Sequence, residues 1–128
     1  MQSSNLIFLD GGCGMELKKR KSEGLNVAYD LSLFSSAALL YTPDGIRQLH
    51  CDYIKSGANV ITTASYAATK FYLDRVNKGD CVNEYAKLSV KLAKDAVKET
   101  NASGHVLIAG SVPPLGYIIF YINVADFN

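Results

Sequence analysis

The sequence predicts an α/β fold of parallel strands joined by helices, and three observations predict it. Short apolar runs alternate with longer stretches whose apolar positions recur at helical spacing. The junctions "SGANVITT" (56–63) and "SGHVLIAGS" (103–111) echo each other as one repeated helix-to-strand unit. The first apolar run ends in an acid and then three glycines within four residues, "FLDGGCG". Strand, helix, strand, helix, strand implies about three parallel strands with intervening helices and right-handed crossovers.

Each element has its own reason. Leu6 to Leu9 form a continuous apolar run, as in a strand buried on both faces. Met15 to Lys21 follow as a short helix, whose "KKRK" end suits a C-terminus and a solvated face, and Gly24 stops it. A helical piece spans Ser35 to Leu40. Thr42 then stands as an N-cap with Pro43 at the first helical position. Ile46, Leu49, Tyr53 and Ile54 share one face of that next helix, and Gly57 ends it. Ala58 to Thr63 form a second strand, rich in β-branched residues.

The longest helix runs from Cys81 to about Thr100, with Asp80 as its cap. Val82, Tyr85, Ala86, Ser89, Leu92, Ala93, Ala96 and Val97 form its stripe. Asn101, Ser103 and Gly104 close it, and the third strand follows.

Composition excludes several classes. The 128 residues suit one domain, and a net charge of +1 gives no electrostatic reason to expect nucleic acid or an anionic membrane. Three scattered cysteines without a CxxC pair argue against a disulfide framework or a cysteine-only zinc knuckle, so a reducing, cytoplasmic setting is expected. "NLIFL" is too short for a signal sequence, and the longest apolar stretch falls short of a bilayer span of roughly 20 residues.

The glycine-rich turn admits a nucleotide, a small amphoteric substrate or simple helix packing. The dinucleotide fingerprint needs a third glycine where Leu17 stands and an acid where the second strand ends in Thr62 and Thr63. Asp10 would also meet a pyrophosphate with like charge. A (β/α)8 barrel explains more, because Asp10, Thr63 and Ser111 all lie at C-terminal strand ends, which form one substrate-binding rim there. An anion, two hydroxyls and bare glycine backbone suit a zwitterion: ammonium on Asp10, carboxylate on backbone N–H groups. The plainer alternative is that Asp10 caps the following helix and the hydroxyls are strand packing.

At these residues the chain resembles the homocysteine S-methyltransferase family. "LDGGCGMEL", "IRQLHCDYIKSGANVITTASY" and "IAGSVPPL" carry the resemblance, in order, over residues 6 to about 115. It implies the N-terminal portion of a (β/α)8 barrel and methyl transfer to the homocysteine thiolate, giving methionine. It also implies that Asp10 holds the homocysteine amino group with Gly11 beside it. Thr63 and Tyr66 would line the amino-acid pocket, with Ser111 in the third motif; "ASYAAT" departs from the family's usual stretch at Tyr66.

The family's zinc, held by three cysteines, would deprotonate the substrate thiol. Those cysteine motifs lie beyond the matched region, and Cys13, Cys51 and Cys81 match none of them. Adjacent His50 and Cys51 point about 100° apart on a helix, so they cannot easily share a metal. The methyl donor is left unspecified, because donor contacts come largely from outside the match.

Two segments are expected: residues 1–115 as a partial homocysteine-binding barrel domain and 116–128 as a divergent apolar tail. A whole barrel takes roughly 250 residues, so the chain is expected to be catalytically weak or inactive alone. It could act instead as a non-catalytic fragment, self-associating through open sheet edges. An open nucleotide-binding sheet is the third reading.

Overall fold

The structure is a computed structural model that describes residues 6–113; the apolar segment 116–128 lies outside the described residues. Among these residues are five α-helices and a two-stranded parallel sheet. α1 (Cys13–Ser22) buries only Leu17 completely, and Gly24, at φ +84°, ends it in a conformation that side chains disfavour. Arg20 is not a solvated cation of its basic end. It donates to Glu16 at 3.0 Å and to Asp52 at 2.8 Å, tying α1 to the third helix.

α2 (Ser36–Tyr41) and α3 (Pro43–Lys55) follow where the pattern places them. Pro43 opens α3, but the Thr42 hydroxyl does not cap it. That oxygen instead accepts the Ala28 N–H at 2.8 Å, fixing the loop after α1. Gly57 (φ +102°) closes the helix.

β1 (Val60–Thr62) pairs in parallel with β2 (Leu107–Ala109), Val60 opposite Leu107 and Thr62 opposite Ala109. α5 (Val82–Glu99) buries Tyr85, Ser89, Leu92, Ala93, Ala96 and Val97, six members of the expected stripe. Asp80 does not cap it; a 3-10 turn over Gly79–Cys81 leads in, and Cys81 holds the cap position. α5 packs on α3, with the buried Cys51 thiol 4.0 Å from the Ala96 carbonyl. Ile61 and Ile108 meet Ala93 and Val97 on this side of the sheet. Residues 64–80, where the sequence indicates no element, include α4 (Lys70–Leu73) and a 3-10 turn at Asp74–Val76.

The first apolar run departs from expectation. Leu6 to Leu9 lie beside β1 but form only one parallel bridge, Leu9 to Val60. The Asp10 N–H donates to the Val60 carbonyl at 2.9 Å, and the Phe8 N–H to the Asn59 side chain at 2.9 Å. The run is also not buried: its four residues are 59–70% exposed. The physical reason is a lack of cover, since none of the hydrophobic clusters among the described residues includes them.

His50 lies in the helical layer at 1% exposure, and neither ring nitrogen has a hydrogen-bond partner in the described structure. Burial lowers its pKa, and the negative charge of Asp10 opposes that shift. Below the ordinary value near 6.5 the unfolded chain takes up a proton that the folded chain refuses. Stability from this group is therefore complete above about pH 6.5 and is lost as pH falls below it. Urea midpoints should drop between pH 7.5 and 5.5, and His50→Leu should flatten that drop; an unchanged drop would exclude His50 as its source.

Candidate functional site

A cleft of about 620 Å³ opens at the tips of the first run, β1 and β2. It is lined by Asp10, Gly11, Thr63, Tyr66 and Ser111, so all five expected residues come together. Their roles differ from simple convergence on a ligand.

Asp10 reaches across to β1. Its Oδ2 accepts the Thr62 N–H at 2.7 Å and its Oδ1 accepts the Thr62 hydroxyl at 3.0 Å. Those two bonds fix the plane of the carboxylate. A carboxylate offers about four lone-pair sites, so capacity remains for an ammonium group. Asp10 does not cap α1: the cap position is Gly12, without a side-chain cap bond. The first N–H groups of α1, from Cys13 on, have no intrahelical partner and edge the same cleft, where an anionic group would be favoured.

Thr63 and Ser111 are occupied with each other. The Ser111 N–H donates to the Thr63 hydroxyl at 3.0 Å, and the Thr63 and Ser65 hydroxyls lie 2.9 Å apart. Ser65 in turn donates to the Ser111 carbonyl at 2.8 Å. With the Ser65 proton so used, Thr63 donates to Ser65. Its hydroxyl proton is thereby spent on locking the tips of β1 and β2, leaving Thr63 as a wall and brace.

Gly11 lies close against Tyr53. A Cβ there would sit 2.8 Å from the Tyr53 hydroxyl and 3.0 Å from its ring carbons. Gly11→Ala should therefore destabilise the fold by about 1–3 kcal/mol through overpacking, read as a lowered urea midpoint; an unchanged midpoint would show that Tyr53 yields freely.

Sequence reasoning missed the far wall. Tyr29, Phe34 and Ser35, from the loop between α1 and α2, also line the cleft. Phe34 stands edge-on to Tyr66 with ring centres 6.4 Å apart. Its φ of +50° is strained for a bulky side chain, and the Phe34 N–H is held by the Asp30 carbonyl at 2.7 Å. No periodicity signals such a loop. The aspartate at 30 and serine at 32 were its one local cue, since Asp30 accepts the Ser32 N–H at 2.6 Å.

Cys13 lines the cleft half-buried. Burial first, and then the Asp10 charge, push its thiol up to about 12, against a Ser35 hydrogen bond and the Arg20 charge. Such a thiol is a poor nucleophile at neutral pH. Cys51 is buried against α5, and among the described residues no group of three His, Cys, Asp or Glu could hold a metal. The thiols present do not fit the zinc centre that the resemblance implies. At pH 8, iodoacetamide should label Cys13 orders of magnitude more slowly than a free thiol peptide, since only ~10⁻⁴ of it is thiolate; labelling at the free rate would contradict this.

Parallel strands joined by helices, with an amphoteric cleft at their C-terminal tips, make an α/β unit with its cleft where ligands of parallel α/β sheets generally bind. A family model described as homocysteine S-methyltransferase matches residues 7–125, and the chain belongs to that family. The match runs into the segment set apart at 116–128. Homocysteine S-methyltransferase of Escherichia coli (strain K12) is 33% identical over 121 residues, 91% of this chain and 37% of that protein. Homocysteine S-methyltransferase 2 of Zea mays is 36% identical, covering 86% of this chain and 34% of its own length. The metallated crystal structure of the E. coli homocysteine methyltransferase MmuM aligns at a TM-score of 0.71 and 34% identity, over 94% of this chain and 42% of MmuM. The chain thus spans a little over a third of the length of these relatives. No helix among the described residues is long and apolar enough to cross a membrane.

Proposed function

We propose that the strand-tip cleft binds homocysteine, as the amino-acid-anchoring part of a homocysteine S-methyltransferase. The single observation carrying this reading is the two-point clamp of Asp10 by Thr62, which presents an oriented carboxylate beside the N-terminus of α1. The substrate ammonium group sits on Asp10. Its carboxylate takes the free N–H groups of α1, and the side chain runs along the wall of Tyr66 and Phe34. Supporting this, the relatives it resembles in Escherichia coli and Zea mays are homocysteine S-methyltransferases.

In the same reading the first run, β1 and β2 are the first three strands of a (β/α)8 barrel. Their sequential parallel order supports it, as does helix cover on one sheet face only. The reaction moves a methyl group to the homocysteine sulfur, giving methionine. The described residues supply orientation for that reaction and no group that deprotonates the thiol. The chain alone therefore binds the amino acid and turns over weakly or not at all.

Calorimetry with L-homocysteine tests the reading. The wild-type chain should bind it, and Asp10→Asn should weaken binding at least tenfold, the cost of about 1.4 kcal/mol. Binding indifferent to Asp10→Asn, or no binding, overturns the anchoring role. Methionine formation by the purified chain at rates typical of enzymes would overturn the inactive reading.

A further inference from the structure

We propose that Arg75, which is not among the residues lining the strand-tip cleft, is a positioning residue for the cleft's aromatic wall, and that it thereby sets a preference for amino acids whose side chain reaches beyond Cβ. The inference rests on the proposed homocysteine reading and names what makes that site selective. The wall is built from two separate segments. Tyr66 follows β1, whereas Phe34 ends the loop between α1 and α2. Two loops make one wall only if something ties them together.

Arg75 supplies that tie. Asp30 and Phe34 pair as an antiparallel bridge, and Ser32 is the residue midway between them. The Arg75 Nη1 donates to the Ser32 carbonyl at 3.0 Å. The same guanidinium stands over two rings, 4.9 Å from the centre of Phe71 and 5.0 Å from that of Tyr72. Tyr72 in turn meets Phe34 edge-on, with ring centres 6.0 Å apart. One cation thus holds the loop by its backbone and, through Tyr72, by its ring. A planar guanidinium can stack and donate at once.

Leu33 and Ala37 pack with Ala67 and Tyr72, which brings the two segments into contact. Apolar packing is non-directional, so it leaves the place of the loop tip open. The Arg75 bond fixes it. Phe34 also keeps a left-handed backbone, φ +50°, that a bulky side chain holds only where its surroundings impose it. Without Arg75 the loop relaxes and the Phe34 ring leaves the wall. The ammonium and carboxylate of a bound amino acid meet Asp10 and the N-terminus of α1, and the side chain beyond Cβ meets the wall. L-alanine carries the same polar groups but stops at Cβ, so the wall adds to homocysteine binding and not to alanine binding.

Titration of the full chain with L-homocysteine and with L-alanine, followed by two-dimensional NMR, tests the proposal. Arg75→Ala should weaken L-homocysteine about fivefold, equivalent to about 1 kcal/mol, and change L-alanine by under about twofold. Phe34→Ala should show the same selective loss. Adding Arg75→Ala to it should cost nothing more, because Arg75 acts through Phe34. Where L-alanine binds too weakly to measure, that double-variant comparison decides alone. Equal weakening of both ligands, no weakening, an unfolded Arg75→Ala chain, or a further loss in the double variant overturns the positioning role. Failure of the homocysteine reading looks different: the wild-type chain then binds neither ligand, or binds them regardless of Asp10→Asn, and the inference falls with it.

Discussion

The bond pair between Asp10 and Thr62 is the constraint on which the rest of the site depends. It joins the end of the first run to the end of β1, adding a side-chain link to the backbone bonds that Phe8 and Asp10 make with Asn59 and Val60. Hydrogen bonds to a charged group contribute about 1.5–3 kcal/mol, with the lower end apt for a half-buried carboxylate. The pair also decides what Asp10 can do. A carboxylate free to rotate would cap α1 or face solvent; one clamped at both oxygens keeps its remaining lone pairs aimed into the cleft.

Around that clamp the site divides into braces and surfaces. Thr63, Ser65 and Ser111 spend their polar atoms on one another, so the tips of β1 and β2 move as a unit. Gly11 lets the turn settle against Tyr53, which lies beneath it. Burial and the Asp10 charge both oppose the Cys13 thiolate, which leaves that part of the wall without a reactive thiolate. The cleft that results is braced by hydrogen bonds at the strand tips and aromatic along one side.

Periodic features were legible in the sequence, and features set by non-local partners were not. α3 and α5 could be read because their buried stripes recur at helical spacing, and Gly24 and Gly57 stop their helices where the pattern fails. Thr42 and Asp80 look like caps locally. Thr42 is captured by Ala28, across the fold, and the chain before α5 tightens into a 3-10 turn. Asp10 was recognisable by its place at a strand end. Its partner Thr62 was not, because the pairing depends on register between two strands. The Phe34 wall was invisible for a related reason: its position comes from a strained loop, not from a repeating pattern.

Leu6 to Leu9 show how pattern and environment separate. Their apolar run reads as a strand buried on both faces, yet burial requires neighbours and the described residues provide them on neither side. One sheet face thus belongs to α3 and α5, while among the described residues the other carries no such cover. The clamp and the cleft lie at the strand tips, between those two faces. The most direct measurement of the clamp's purpose is the side-chain carboxyl carbon resonance of Asp10 during titration with L-homocysteine. It should shift and saturate with the ligand, and Thr62→Val should require more homocysteine for the same change. A resonance that stays still while others in the cleft move would contradict Asp10 as the anchor.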